Sequence, residues 1–250
     1  LCAPQSLPSC FAVRFLSHVF TPFFMSDEFS PRLSAKELGK LAAARLAELR
    51  AAGEELQPVA NSSRKLAAQF WGQAWMRHLA HCETGGLCLA PGRTLLRHGC
   101  VLDIRIAPGL ITAKVSVDEL YEVSLRIDSP DEERVLALQQ LCSGHIDSLV
   151  SLLSGKIDAA VMQQLCHPDM GLLPEPADWH MFCTCADWAE PCPHAAAAMY
   201  AAGVLIDATP SLLFTLRGVE AEALVSSPRL TAQSFDAAAL SATFGIDIDV

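Results

Sequence analysis

"VLDIRIAPGLITAKVSVDELYEVSLRI", residues 101–127, alternates apolar and polar side chains in three runs. Leu102, Ile104 and Ile106 alternate with Asp103 and Arg105, and Ala113, Val115 and Val117 with Thr112, Lys114 and Ser116. In the third run Tyr121, Val123, Leu125 and Ile127 alternate with Glu122, Ser124 and Arg126. A period of two puts each apolar set on one face of a strand. Turn residues at 107–109 and 118–120 separate the runs. The stretch predicts a half-buried antiparallel β-meander of three strands, with residues 93–96 as a candidate fourth.

On either side the period changes to that of helices. Upstream, residues 34–52 carry Leu38, Leu41, Ala42, Leu46 and Leu49 at spacings of three and four, and Gly53 follows as a stop. Phe70, Ala74, Met76 and Leu79 line a second helix, weakened by Gly72. Downstream, Ser129-Pro130-Asp131-Glu132 has the spacing of a capping box, and Val135, Leu138, Leu141 and Cys142 continue an apolar face. Shorter helical pieces are expected near 145–153 and 158–166, then an alanine-rich helix from His194 closed by Gly203, and another from Pro210 to Leu216. Helices segregated from an antiparallel sheet define an α+β protein.

The chain has 250 residues, 51% of them hydrophobic, and a net charge of −10. Its longest apolar stretch, residues 195–206, falls well short of the roughly 20 residues that span a bilayer, so no membrane association is expected. Ten cysteines in a chain this long do not form the dense framework of a small secreted domain, and a reduced, cytoplasmic setting is expected. The charge is uneven: residues 25–127 hold 13 Lys and Arg against 11 Asp and Glu, whereas residues 128–250 hold 4 against 17. An acidic C-terminal half repels phosphate unless its few cations are focused.

Within that acidic half lies "CTCADWAEPCPH", residues 183–194. Cys183 and Cys185 form one i,i+2 pair, Cys192 and His194 another, and six residues join them. Two such pairs folded over each other offer three thiolates and one imidazole, a set that suits tetrahedral Zn²⁺. Four ligands close the shell, and neither a deaminase-type His-x-Glu nor an H-E-x-x-H accompanies them, so one structural zinc is predicted and no catalytic one. The positive end of the following helix favours a deprotonated Cys192.

The pattern C-x-C-x₆-C-P-H followed by a small-residue helix resembles the SWIM zinc finger. Residues 70–79, 92–115 and 212–218 resemble the frame of bacterial SWIM zinc finger proteins, extending the likeness over most of 69–218. The resemblance implies Cys183, Cys185, Cys192 and His194 as zinc ligands. It also implies a DNA- or protein-binding accessory role beside a Swi/Snf-type helicase or ATPase. Two departures stand out: Pro193 occupies a position where lysine is usual, and the C-terminal half is more acidic than a DNA clamp would favour.

Trp188 and Pro193, in and beside the finger loop, are candidate partner contacts. For nucleic acid the candidate cations are Arg105, Lys114 and Arg126 on the polar faces of the meander, with Arg93 and Arg97 upstream. A solvated sheet face with its charges paired is the competing reading. Arg64, Lys65 and Arg77 are further cations to consider. Trp71 and Trp75, four apart, are read as core in preference to base-stacking groups. His81, Cys82, Cys88, His98 and Cys100 match no regular metal spacing, and the adjacent Cys166 and His167 are poorly placed to act as nucleophile and base.

The organisation expected is a non-native or disordered leader (1–24), a helical arm (25–60), a sheet domain (61–128), a helical segment (129–178), a SWIM-type finger (179–218) and a tail (219–250). Non-catalytic binding is the function expected, with a protein–protein adaptor free of nucleic acid as the alternative, and a thiol redox or metal-dependent enzyme as a third reading. Oligomeric state is left open by the sequence.

Overall fold

Three strands of the meander form where the alternation places them: β1 (Val101–Ala107), β2 (Leu110–Ser116) and β3 (Leu120–Ile127). Ile104 faces Ala113 and Ala113 faces Val123, so one apolar row crosses the sheet. Gly109, at φ 67, makes the tight β1–β2 turn that a side chain would strain. The computed structural model describes residues 33–225 apart from Gly85, Gly86, Cys88, Pro168, Asp169 and Trp188. The expected leader, most of the expected tail and Trp188 therefore lie outside the described residues.

The fourth strand is not residues 93–96. It is β4 (Trp179–Cys183), which pairs antiparallel with β3 and gives the order β1-β2-β3-β4. Residues 93–96 sit instead in a helix, Ala90–Arg97, with Pro91 in its first turn. Gly92, Leu95 and Leu96 all fall on its buried side, a helical spacing that outweighs the short apolar run.

In chain order the helices are α1 (Ala35–Ala51), α2 (Phe70–Thr84), α3 (Ala90–Arg97), α4 (Glu132–Cys142), α5 (Leu149–Ser154), α6 (Ala159–Leu165), α7 (Pro193–Ala208) and α8 (Ser211–Arg217). Ser34 caps α1 in a full capping box with Glu37. The cap of α4 is Asp131 and not Ser129: its carboxylate accepts from Arg134 N, and the helix starts only beyond Pro130. Gly72 does not interrupt α2, because the start of that helix is held from outside. Asp207 on α7 accepts from the Ala68 and Gln69 amides at 2.6–3.0 Å, and a Cβ on Gly72 would collide with it.

α7 is the centre of the protein. It packs on the inner face of β1, β2 and β3 and is covered from the other side by α2 and α3. Residues 195–203 of α7 are buried without a break, which requires a helix apolar on every side. Gly203 does not terminate it; the helix runs on to Ala208. The glycine is there for proximity, since a Cβ would stand 2.4 Å from the Trp75 ring. Trp71 and Trp75 are both fully buried, with indole nitrogens donating to the Leu152 and Met199 carbonyls at 2.9 Å. Core is their role. The outcome is an α+β protein: a four-stranded antiparallel sheet, flanking helices and a Cys/His cluster running into α7.

Candidate metal centre

Cys183 is the last residue of β4 and pairs with Val123 on β3. One residue further, Thr184 N donates to the Glu122 carbonyl at 3.1 Å, and Glu122 N donates back to Thr184 Oγ1 at 3.0 Å. These bonds hold the strand's end where the chain turns to Cys185. The second pair is set by α7. Cys192 is its N-cap, with Sγ accepting from Ala195 N at 3.4 Å, and His194 is its second residue. Pro193 is the first helical residue, a position where a missing N–H costs nothing and a fixed φ helps. Its departure from the expected lysine thus has a local helix-starting reason.

The two halves converge. One donor atom from each of Cys183, Cys185, Cys192 and His194 lies within 4.8 Å of every other, and Cys183 Sγ is 3.8 Å from His194 Nδ1. Donors around a tetrahedral zinc, with bonds of about 2.3 Å to sulfur and about 2.0 Å to nitrogen, stand roughly 3.5–3.8 Å apart. The cluster is therefore close to that spacing, and three sulfurs with one imidazole form a donor set suited to a soft or borderline ion. No other group of this kind occurs among the described residues.

Burial raises the Cys183 thiol to about 12, helped by its sulfur neighbours, and also raises Cys192. Three thiolates crowded together need a cation to be stable, so ion binding would release protons. Burial lowers the His194 pKa, against the pull of Asp118 and Asp187, and favours the neutral imidazole that can ligate. Tyr121 stacks on that imidazole, centroids 4.0 Å apart and planes 23° apart, while its hydroxyl donates to Asp118 at 2.8 Å. The linear pattern marked Tyr121 only as the first member of the apolar set of β3, and nothing in it placed that ring beside the cluster.

The candidate nucleic-acid cations do not form one surface. Lys114 stands between Asp103 and Glu122 in adjacent strands and is ion-paired with Glu54. Arg105 contacts Asp103 at 3.3 Å and donates to the Glu55 carbonyl at 2.8 Å. The loop after α1 thus crosses the polar sheet face and ties down its cations. Arg126 lies beside His180 of β4, and Asp128 holds His180 at 2.7 Å. Arg93 and Arg97 are elsewhere, on α3, which packs against α7 on the other side of the sheet. Arg93 donates to the Tyr200 hydroxyl at 2.7 Å. Cys82 and Cys100 are buried, and burial pushes the Cys100 thiol up to about 11; Cys166 is raised to about 11 in the same way.

Fold and site define an α+β protein with a Cys₃His cluster that could hold a metal ion, and no described helix is long and apolar enough to cross a membrane. The chain is similar to the uncharacterized protein Rv2102 of Mycobacterium tuberculosis, 29% identical over 188 residues, covering 73% of this chain and 66% of that protein. No family model and no solved structure matches the chain.

Proposed function

We propose that this protein is a non-catalytic, zinc-binding accessory factor of the SWIM type, which contacts DNA or protein in the company of a Swi/Snf-type ATPase. The observation that carries the reading is the convergence of Cys183, Cys185, Cys192 and His194 from β4 and the start of α7 within 4.8 Å. Four protein donors fill a tetrahedron and leave no position for a reacting water, which is the arrangement of structural zinc. Bound zinc would supply a cross-link between the sheet's edge strand and the central helix. The chain's own contribution is to pre-position the donors: β3 holds Cys183, the first turn of α7 holds Cys192 and His194, and Tyr121 fixes the imidazole plane.

Cys185→Ser tests the zinc. Wild type should carry one zinc per chain by elemental analysis, and the variant should lose the metal and melt at a lower temperature. Retention of folding and melting temperature after complete chelation would overturn the structural role. Affinity purification from the native host, with and without nuclease, tests the partner; absence of a Swi/Snf-type ATPase in both would overturn that association.

A second reading, a protein–protein adaptor without nucleic-acid contact, is favoured by the pairing of Arg105 and Lys114 with carboxylates and by the exposed Phe182, 64% accessible, on the same sheet face. It predicts an ATPase complex that persists after nuclease, with no retention of DNA by the purified protein at low salt.

A further inference from the structure

Away from the metal centre, a cavity of about 350 Å³ opens between α2, α3, α7 and the segment before α2. Arg64, Lys65, Arg77 and Arg93 line it, and no carboxylate does so among the described residues. Arg64, Lys65 and Arg77 are exposed and make no salt bridge with a described residue. Arg93 is held in place: it donates to Tyr200, and its guanidinium lies over that ring, 4.9 Å from the centroid. One nearby acid is Glu83, 3.8 Å from Arg93 and 3.4 Å from the Tyr200 hydroxyl. Asp207, on the Ala68 and Gln69 amides, is a second acid beside the cavity, and two carboxylates against four cations still leave it positive in a chain of net charge −10.

Beneath the cations the wall is apolar. Leu66 and Ala67 are buried there and Met76 is partly so. A positive rim over an apolar floor, at the small end of the usual range for ligand sites, fits a single phosphate ester with a flat or apolar body. It is too small for a duplex. Elsewhere on the molecule Arg105 and Lys114 are tied to carboxylates, and Arg134 and Arg217 are ion-paired at 2.8 and 3.0 Å. Like charges crowded together destabilise a fold unless an anion shares the space.

We propose that this cavity is a binding site for a nucleoside phosphate, taken either as a free nucleotide or as one unit of a single strand. Phosphate sits among Arg64, Lys65, Arg77 and Arg93, and the base lies on Leu66 and Met76. The site is independent of the metal centre and of the ATPase partner, and its test reads neither. The full chain is titrated at low salt with inorganic phosphate, AMP and a fluorescent twelve-residue oligothymidylate. AMP or the oligonucleotide should bind, with inorganic phosphate at least tenfold weaker. Preference for AMP assigns the free nucleotide; preference for the oligonucleotide, with a steep salt dependence, assigns the strand.

The exposed pair Arg64→Ala and Arg77→Ala, combined, should weaken binding at least tenfold without lowering the melting temperature. Arg105→Ala should leave binding unchanged. Failure of both AMP and the oligonucleotide to bind, or binding indifferent to the double substitution, would overturn the site. Phosphate binding as tight as AMP would overturn the role of the apolar floor.

Discussion

Tyr121 and His78 show how much a single side chain can determine here. The Tyr121 ring covers the His194 imidazole, and its hydroxyl is anchored on Asp118. Groups that orient a ligand from outside the coordination shell typically contribute 10- to 100-fold in metal affinity. Tyr121→Ala should therefore weaken binding of a metal ion at the cluster by about that factor in a chelator competition, whereas Tyr121→Phe, which keeps the ring, should stay near wild type. His78 acts through protons. Its Nε2 donates to the Pro174 carbonyl at 2.6 Å, and its Nδ1 is buried without a partner among the described residues. Burial, with Arg217 and His81 adding to it against Glu175 and the Pro174 bond, lowers its pKa below 6.5. Above pH 6.5 both folded and unfolded states hold it neutral, and its stabilising contribution is complete. As pH falls from 6.5 through the lower folded pKa, the unfolded state takes the proton first and the contribution is lost. Melting temperatures measured between pH 7.5 and 5 should fall less steeply for His78→Gln than for wild type.

Among the elements, α7 carries the consequences of close packing. A Cβ at Gly92 of α3 would stand 2.4 Å from the Ala196 carbonyl carbon and the Ala197 nitrogen of α7. Backbone cannot swing aside as a side chain can, so the two helices would have to separate. Gly92→Ala is expected to cost about 1–3 kcal/mol in denaturant unfolding, despite its better helix propensity. Because α7 begins at Cys192 and His194, the same displacement should loosen the Cys/His cluster, read as faster loss of a bound metal ion to a chelator. Helix identity at α3 was itself legible in the spacing of Gly92, Leu95 and Leu96.

Across the whole molecule, charge is spent unequally. Arg217 is fully buried at the end of α8, 3.0 Å from Asp178 just before β4, and Arg134 of α4 reaches Glu175 at 2.8 Å. Two of the few cations in the acidic half thereby clamp the segment that leads into the ligand strand. Asp178 keeps 23% of its side-chain exposure, so losing the buried guanidinium costs less than in a fully buried pair, and Arg217→Ala should destabilise by about 1–3 kcal/mol in equilibrium unfolding. Arg217 and Asp178 replaced together by Met and Leu should recover most of that loss, because no lone charge then remains. Arg64, Lys65 and Arg77 in turn group as exposed cations around the cavity before α2, apart from the sheet face that the alternating pattern suggested.

The sequence by itself determined the meander, most of the helices and the four candidate ligands. Each is a local property: a period of two, a spacing of three and four, two i,i+2 pairs a short loop apart. Tertiary structure alone decided that residues 179–183 complete the sheet, that Gly203 lies inside α7, that Tyr121 covers His194, and that Glu54 and the Glu55 carbonyl engage Lys114 and Arg105. In each of these the energy comes from residues far apart in the chain, as in the pairing of Val123 with Cys183. Local periodicity carries no record of such partners, and they become readable only when the core brings them together.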